Sequence, residues 1–350
     1  MSNPQRPTTS GRRLLVFTLL FLALTGAGLW VVYQQFADRS LAFDWQLLSP
    51  WTLATVSGLL VVYFASDGLR LYFTLRALGY QVRLSAIARL VFVNIFFSNV
   101  TPMATGGGFA QIWYLQREGV PLGFATAATT IRTVLAVVFI FSLAPVFLMT
   151  LPALQNQPLL GGQISWLLSL LIALYLAFFA VVLFRTRWLI GPLTGVLTLL
   201  DRWHLISPAR HRRWQFRARR EMMRFSRSFG FYLRGDRRWV SLSVLFTALF
   251  LLGLFSFPWL IITGLDYDVS WLNTLGLLVV TTFIMYFSPT PGASGISEGV
   301  FGSFFRDILG GSHLVLVTVV WRVVTIYLGM LIGLILLQRD LVSRNRSHNK

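Results

Sequence analysis

The sequence predicts an all-α polytopic membrane protein: six spanning helices plus two re-entrant or broken helical hairpins, arranged as an inverted repeat. Composition is the first reason. The 350 residues are 55% hydrophobic and 12% charged, with mean hydropathy +0.68, and several apolar runs reach the ~20 residues that a spanning helix needs. Two proline–glycine segments are the second: 101–111 (TPMATGGGFAQ) and 288–298 (SPTPGASGISE) each interrupt a hydrophobic stretch. The third is a common offset. One and the same shift in residue number carries Thr101-Pro102 onto Thr290-Pro291 and Gly106 onto Gly295.

Taken along the chain, residues 1–13 are polar and basic, and 14–33 form the first apolar run. That run is long for a signal-peptide core and no small-x-small site closes it, so it reads as a retained anchor. Runs 51–75, 124–150, 164–184, 240–264 and 313–337 complete the six spans. Regions 86–118 and 271–310 hold the two interruptions. A helix break leaves backbone groups that lipid cannot satisfy, so it is expected only where buried in protein or lining a polar cavity. Paired breaks in two halves of a chain point to a binding site near the membrane midplane.

Positive residues set the orientation. Arg12, Arg13, Arg76, Arg83, Arg89, the stretch 185–238, Arg339, Arg344 and Arg346 fall on the cytoplasmic side, and loops 34–50, 151–163 and 265–270 outside. Arg89 and Arg117 both belong inside, so 86–118 enters and returns from that face. Parity makes 271–310 enter and return from the other. The same offset lays helix 51–75 on 240–264 and helix 124–150 on 313–339, with Arg132 falling next to Arg322. Residues 1–350 thus form a single transmembrane domain, with repeat units 51–150 and 240–339 and the second inverted by helix 164–184.

Between the units, 185–238 carries 14 arginines against Asp201, Glu221 and Asp236. Trp214, Ala218, Met222, Phe225, Phe229 and Leu233 recur at three- and four-residue steps, an apolar stripe on an otherwise basic helix. Such a segment suits anionic lipid headgroups over 208–234. It also satisfies the positive-inside rule as a plain cytoplasmic loop. The net charge of +18 is therefore assigned to topology and lipid, not to nucleic acid.

Charges inside apolar segments need an explanation. Asp67 and Arg70 sit one helical turn apart and can pair locally, as a structural or a substrate-binding pair. Arg132 and Arg322 lie within their helices, where a guanidinium fork suits phosphate or carboxylate; the alternative is a buried pair with Glu298. Glu298 is the single acid of the second motif, and Gln111 takes the comparable place in the first. Pro102, Gly106, Gly107, Pro291, Gly292 and Gly295 open the two half-helices, where free N–H groups and close backbone approach favour an anion. Packing of close helices is the competing reading of these glycines. Cysteine is absent, and His204, His211, His313 and His348 have no metal-ligand spacing. No nucleophile set, carboxylate pair or nucleotide-binding loop is present, so neither an enzyme nor a cofactor is expected.

The stretch 289–299 (PTPGASGISEG), followed by Trp321-Arg322 and Tyr327, resembles the signature of the lysylphosphatidylglycerol synthase transmembrane, or flippase-like domain, family. Thr101-Pro102, Gly106-Gly107, Gln111, Tyr114-Leu115 and Glu118-Gly119 match its first half, and the similarity runs over roughly 50–340. One departure is Gly108-Phe109-Ala110, where many relatives carry an acidic or amide residue and proline. The resemblance implies a bacterial cytoplasmic-membrane protein, both termini inside, that moves a polar or anionic lipid between leaflets. Aminoacyl-phosphatidylglycerol and a lipid-linked glycan are the candidate substrates it suggests. The soluble synthase domain of full-length relatives is not in this chain, so synthase activity is not carried over. Two other classes remain: a membrane-embedded lipid-modifying transferase, and an accessory subunit of a lipid-synthesis complex with a partner synthase. Self-association into a homo-oligomer is open as well.

Overall fold

The computed structural model describes residues 44–155, 163–184 and 229–348, with scattered positions in 19–34 and residue 227. Every regular element in these residues is helical. Those of ten residues or more are, in chain order, α1 (Pro50–Ala77), α2 (Leu84–Val100), α3 (Thr105–Arg117), α4 (Leu122–Thr150) and α5 (Gln163–Phe184). Then follow α6 (Arg237–Thr263), α7 (Trp271–Met285), α8 (Ile296–Phe305), α9 (Gly311–Arg322) and α10 (Leu328–His348). A π-helical turn over Val323–Tyr327 joins α9 to α10 without a break.

Four of these helices are long and apolar enough to cross a membrane: Pro50–Ala77, Leu122–Thr150, Arg237–Thr263 and Gly311–Arg339. They match four of the six predicted spans to within a few residues. Run 164–184 is helical as α5, and run 14–33 lies almost wholly outside the described residues. In an apolar medium a hydroxyl must find its acceptor within the protein. Thr74, Thr129, Thr247, Thr281 and Thr318 do so alike, each donating to the carbonyl four residues back at 2.7–2.9 Å. The helices can therefore carry polar residues on their buried faces at little cost.

The chain divides into two compact units. The first comprises Met1–Gly68, Leu84–Tyr114 and Leu249–Lys350. Its centre is the contact of α2 with α10, where Val91, Ile95, Phe96 and Val100 enclose Met330. Gly329 and Gly333 make that contact possible. A Cβ on Gly333 would stand 2.3 Å from the Phe92 carbonyl oxygen, and one on Gly329 3.0 Å from Ile95. This is the small-xxx-small approach by which apolar helices gain dispersion contact where burial from lipid gives none. Tyr63 of α1 stacks on Phe250 and meets Phe257 edge-on. At the start of α9, the Tyr267 hydroxyl lies 2.9 Å from His313 Nδ1, and His313 Nε2 lies 3.5 Å from Asp44 Oδ2.

The second unit comprises Leu69–Arg83 and Leu115–Ala248. There α4 packs on α5, with Phe141 against Tyr175. Phe73 stacks on both Trp239 and Phe246. Of the predicted stripe in 208–234, only Phe229 and Leu233 fall among residues whose side chains are described. Phe229 is buried while Leu233 points outward, and Tyr232, off the stripe, is the residue that anchors, bonding Ser243.

Candidate functional site

Both interruptions fold as helix, break, helix: α2 then α3, and α7 then α8. A proline supplies no N–H and pushes the residue before it into extended conformation. Thr101 and Thr290 accordingly stand at φ −106°, ψ 145° and φ −82°, ψ 151°. Each break then makes the same short turn, Pro102–Ala104 and Pro291–Ala293. Met103 lies at φ 53°, ψ 26° and Gly292 at φ 56°, ψ 20°, while Ala104 and Ala293 both have φ 54°. All four occupy the left-handed region, and the offset that aligns the two Thr-Pro dipeptides also pairs Met103 with Gly292 and Ala104 with Ala293.

The threonine hydroxyls close the turns. Thr101 Oγ1 donates to the Phe97 carbonyl at 2.7 Å and accepts the Gly106 N–H at 2.8 Å. Thr290 Oγ1 donates to the Ser294 carbonyl at 2.9 Å and lies 2.8 Å from Ser288 Oγ. The two turns pack against each other, and α2 packs against both. Residues 102–104 and 291–293, remote in sequence, thus share one place within the first unit.

The second turn carries the charge. Glu298 sits in the first turn of α8, where its Oε2 accepts the Gly295 N–H at 2.7 Å and the Ser297 hydroxyl at 2.9 Å. Gly295 is at φ 84°, a conformation glycine reaches without strain. The other carboxylate oxygen, Oε1, lies 2.7 Å from Arg322 Nε, and both side chains are 0% exposed. Arg322 Nη2 donates to the Gly292 carbonyl at 3.1 Å and lies 3.4 Å from Ser294 Oγ. Arg322 Nη1 is buried with no hydrogen-bond partner among the described residues. Nη2 of the guanidinium is therefore spent on the turn, while Nη1 has no acceptor among the described residues. The π-helical turn begins at the next residue, Val323, an irregularity that often accompanies functional positions.

Gln111 is buried on α3, and its Nε2 has no hydrogen-bond partner among the described residues. It is the seventh residue of its half-helix, whereas Glu298 is the third of its own. Only Glu298 can cap its helix start. Gly106 and Gly107 face α2: a Cβ on Gly106 would stand 3.0 Å from the Phe97 carbonyl oxygen, and one on Gly107 2.8 Å from Asn94 Oδ1. Helix packing accounts for both glycines. Of the other predicted residues, Pro102 and Pro291 begin the two turns, and Asp67 is buried on α1 in the first unit. Arg70 and Arg132 are buried in the second. Thr101, Thr290, Ser294 and Ser297 did not figure among the predicted residues. The repeated Thr-Pro dipeptide was the signal for the first two.

A broken-helix site in apolar surroundings, built on Glu298 and Arg322, can now be set beside known proteins. A UPF0104 membrane protein of Archaeoglobus fulgidus is 22% identical over 295 residues, spanning 83% of this chain and 88% of the relative. The model of the lysylphosphatidylglycerol synthase TM region matches residues 15–333. With both motifs, three of the four apolar helices, most of the fourth and most of the length inside that match, this multi-pass membrane protein belongs to the lysylphosphatidylglycerol synthase TM region family.

Proposed function

We propose that this chain is a lipid translocase that carries a polar or anionic lipid between leaflets, with the paired breaks forming its headgroup site. In this reading 51–150 and 240–339 are inverted repeats, six helices span, and the breaks re-enter from opposite faces. The observation that carries it is the buried Glu298–Arg322 pair, with Nη1 of Arg322 left without an acceptor among the described residues. A buried charge lacking part of its hydrogen bonding is costly, and a headgroup phosphate or carboxylate supplies the missing acceptor geometry. The recurrence of the turn at a single offset supports the repeat. Aminoacyl-phosphatidylglycerol and lipid-linked glycans both fit the chemistry. The reading includes a bacterial cytoplasmic membrane, both termini inside, and no catalytic step.

The test is leaflet exchange in liposomes holding the purified chain and fluorescent lipids of differing headgroup. Headgroup-dependent exchange that falls at least tenfold in Arg322→Lys is the expected result. Exchange that ignores the headgroup, or is equal in the variant, sinks the proposal.

A further inference from the structure

A second cationic site lies within the second unit. Arg76 is in the last turn of α1, and its Cζ is 4.7 Å from the centroid of the Trp239 ring and 5.7 Å from that of Tyr72. Trp239 is itself held, stacked at 5.7 Å on Phe73, which stacks at 5.3 Å on Phe246. Gly235 brings the chain entering α6 against the end of α1, since a Cβ there would stand 2.4 Å from the Ala77 carbonyl oxygen. The guanidinium is thus fixed by ring faces on a rigid frame.

Among the described residues the hydrogen-bonding capacity of its Nε is unspent. Arg76 Nε is buried with no hydrogen-bond partner, and no carboxylate pairs with Arg76 among the described residues. Asp236, next to Gly235 in the chain, accepts the Arg238 N–H at 2.9 Å and caps α6. Arg234, Arg237 and Arg238 are exposed around the same turn. A guanidinium stacked on aromatic faces keeps its N–H groups in the plane, directed sideways, which is the geometry that binds a phosphate bidentately. Arg76 and Trp239 also mark the ends of two helices long and apolar enough to span. Tryptophan and tyrosine concentrate at that depth, and basic pockets between spanning helices there take lipid headgroups.

We propose that Arg76, clamped by Trp239 and Tyr72, binds the phosphate of an anionic glycerophospholipid in the leaflet at that end of α1 and α6. The site is separate in function from the translocation site. It holds a resident lipid and fastens the two helix ends to the headgroup layer.

The test is native mass spectrometry of the delipidated full chain titrated with phosphatidylglycerol, with phosphatidylcholine and millimolar inorganic phosphate as further arms. Arg76→Gln is expected to weaken phosphatidylglycerol retention about five- to tenfold and to leave phosphatidylcholine unchanged. Equal retention by both proteins overturns the proposal, as does an equal loss of both lipids, which marks a general packing defect. Displacement of phosphatidylglycerol by inorganic phosphate overturns the lipid assignment. Arg76→Lys covers a glutamine variant that fails to fold. It keeps the charge without the planar fork, so partial loss is expected, and undiminished retention overturns the site.

Discussion

Met103 and Gly292 share one left-handed backbone conformation, φ 53° against φ 56°, each directly after the proline of a broken helix and each in a different half of the chain. A methionine in that region carries a cost of ~1–2 kcal/mol that a glycine does not. Met103 is largely exposed and bears it in a turn whose ends are stapled by the Thr101 hydroxyl. The turn, and not the residue at its apex, is what recurs.

Substitution at the two apices should therefore be unequal. Gly292→Val is expected to destabilise by at least ~1–2 kcal/mol, the left-handed penalty alone. Met103→Gly should change stability by less than ~1 kcal/mol, since relief of strain is offset by the freedom glycine gains when unfolded. Thermal unfolding in detergent separates the two, and a harmless Gly292→Val would show that the turn is not held.

The Glu298–Arg322 pair makes a sharper prediction. Removing either partner leaves a buried charge, so Glu298→Leu or Arg322→Leu alone should cost on the order of 3–5 kcal/mol. The double variant removes both charges and should recover much of that loss. Additive single-variant costs in a double-mutant cycle would show that the two side chains do not act as a pair.

Close helix contact at Gly333 can be tested against an open glycine. Gly333→Ala drives a methyl into the Phe92 carbonyl of α2 and should cost about 1–3 kcal/mol. Gly58→Ala, with nothing within 4 Å on an exposed face of α1, should stabilise by about 0.5–1 kcal/mol. Equal effects would mean that α2 and α10 separate in detergent.

Tyr232 gives a pH dependence. Burial pushes its phenol up from the ordinary 10.0, with the Ser243 hydrogen bond acting in the opposite direction. A folded value above the unfolded one means its contribution is fully present below pH 10.0 and is lost as pH rises beyond it. Tyr232→Phe should lose about 0.5–1.5 kcal/mol at neutral pH with the hydrogen bond, and should show a shallower loss of stability above pH 10.0. Parallel alkaline unfolding curves for the two proteins would assign that loss to other groups.

The helical class, the apolar runs behind α1, α4, α6 and α9–α10, and the positions of both breaks were legible from residue order. Each follows from local chemistry: apolar length for a span, and proline for a break, because proline removes a donor whatever surrounds it. Glu298 and Arg322 were legible as anomalies, since an ionised side chain in an apolar run is costly anywhere. Their pairing was legible only as one alternative, because they lie on different helices and only the path of α8 into α9 brings Oε1 to within 2.7 Å of Nε. Nor could sequence separate Gly106 and Gly107, which are set by the approach of α2, from Gly292 and Gly295, which are set by backbone angle. Both demands select the same residue, and only neighbouring atoms distinguish them. The meeting of 102–104 with 291–293 and the clamp of Trp239 on Arg76 belong to the tertiary structure for the same reason: each is a contact between segments that no periodicity within either one encodes.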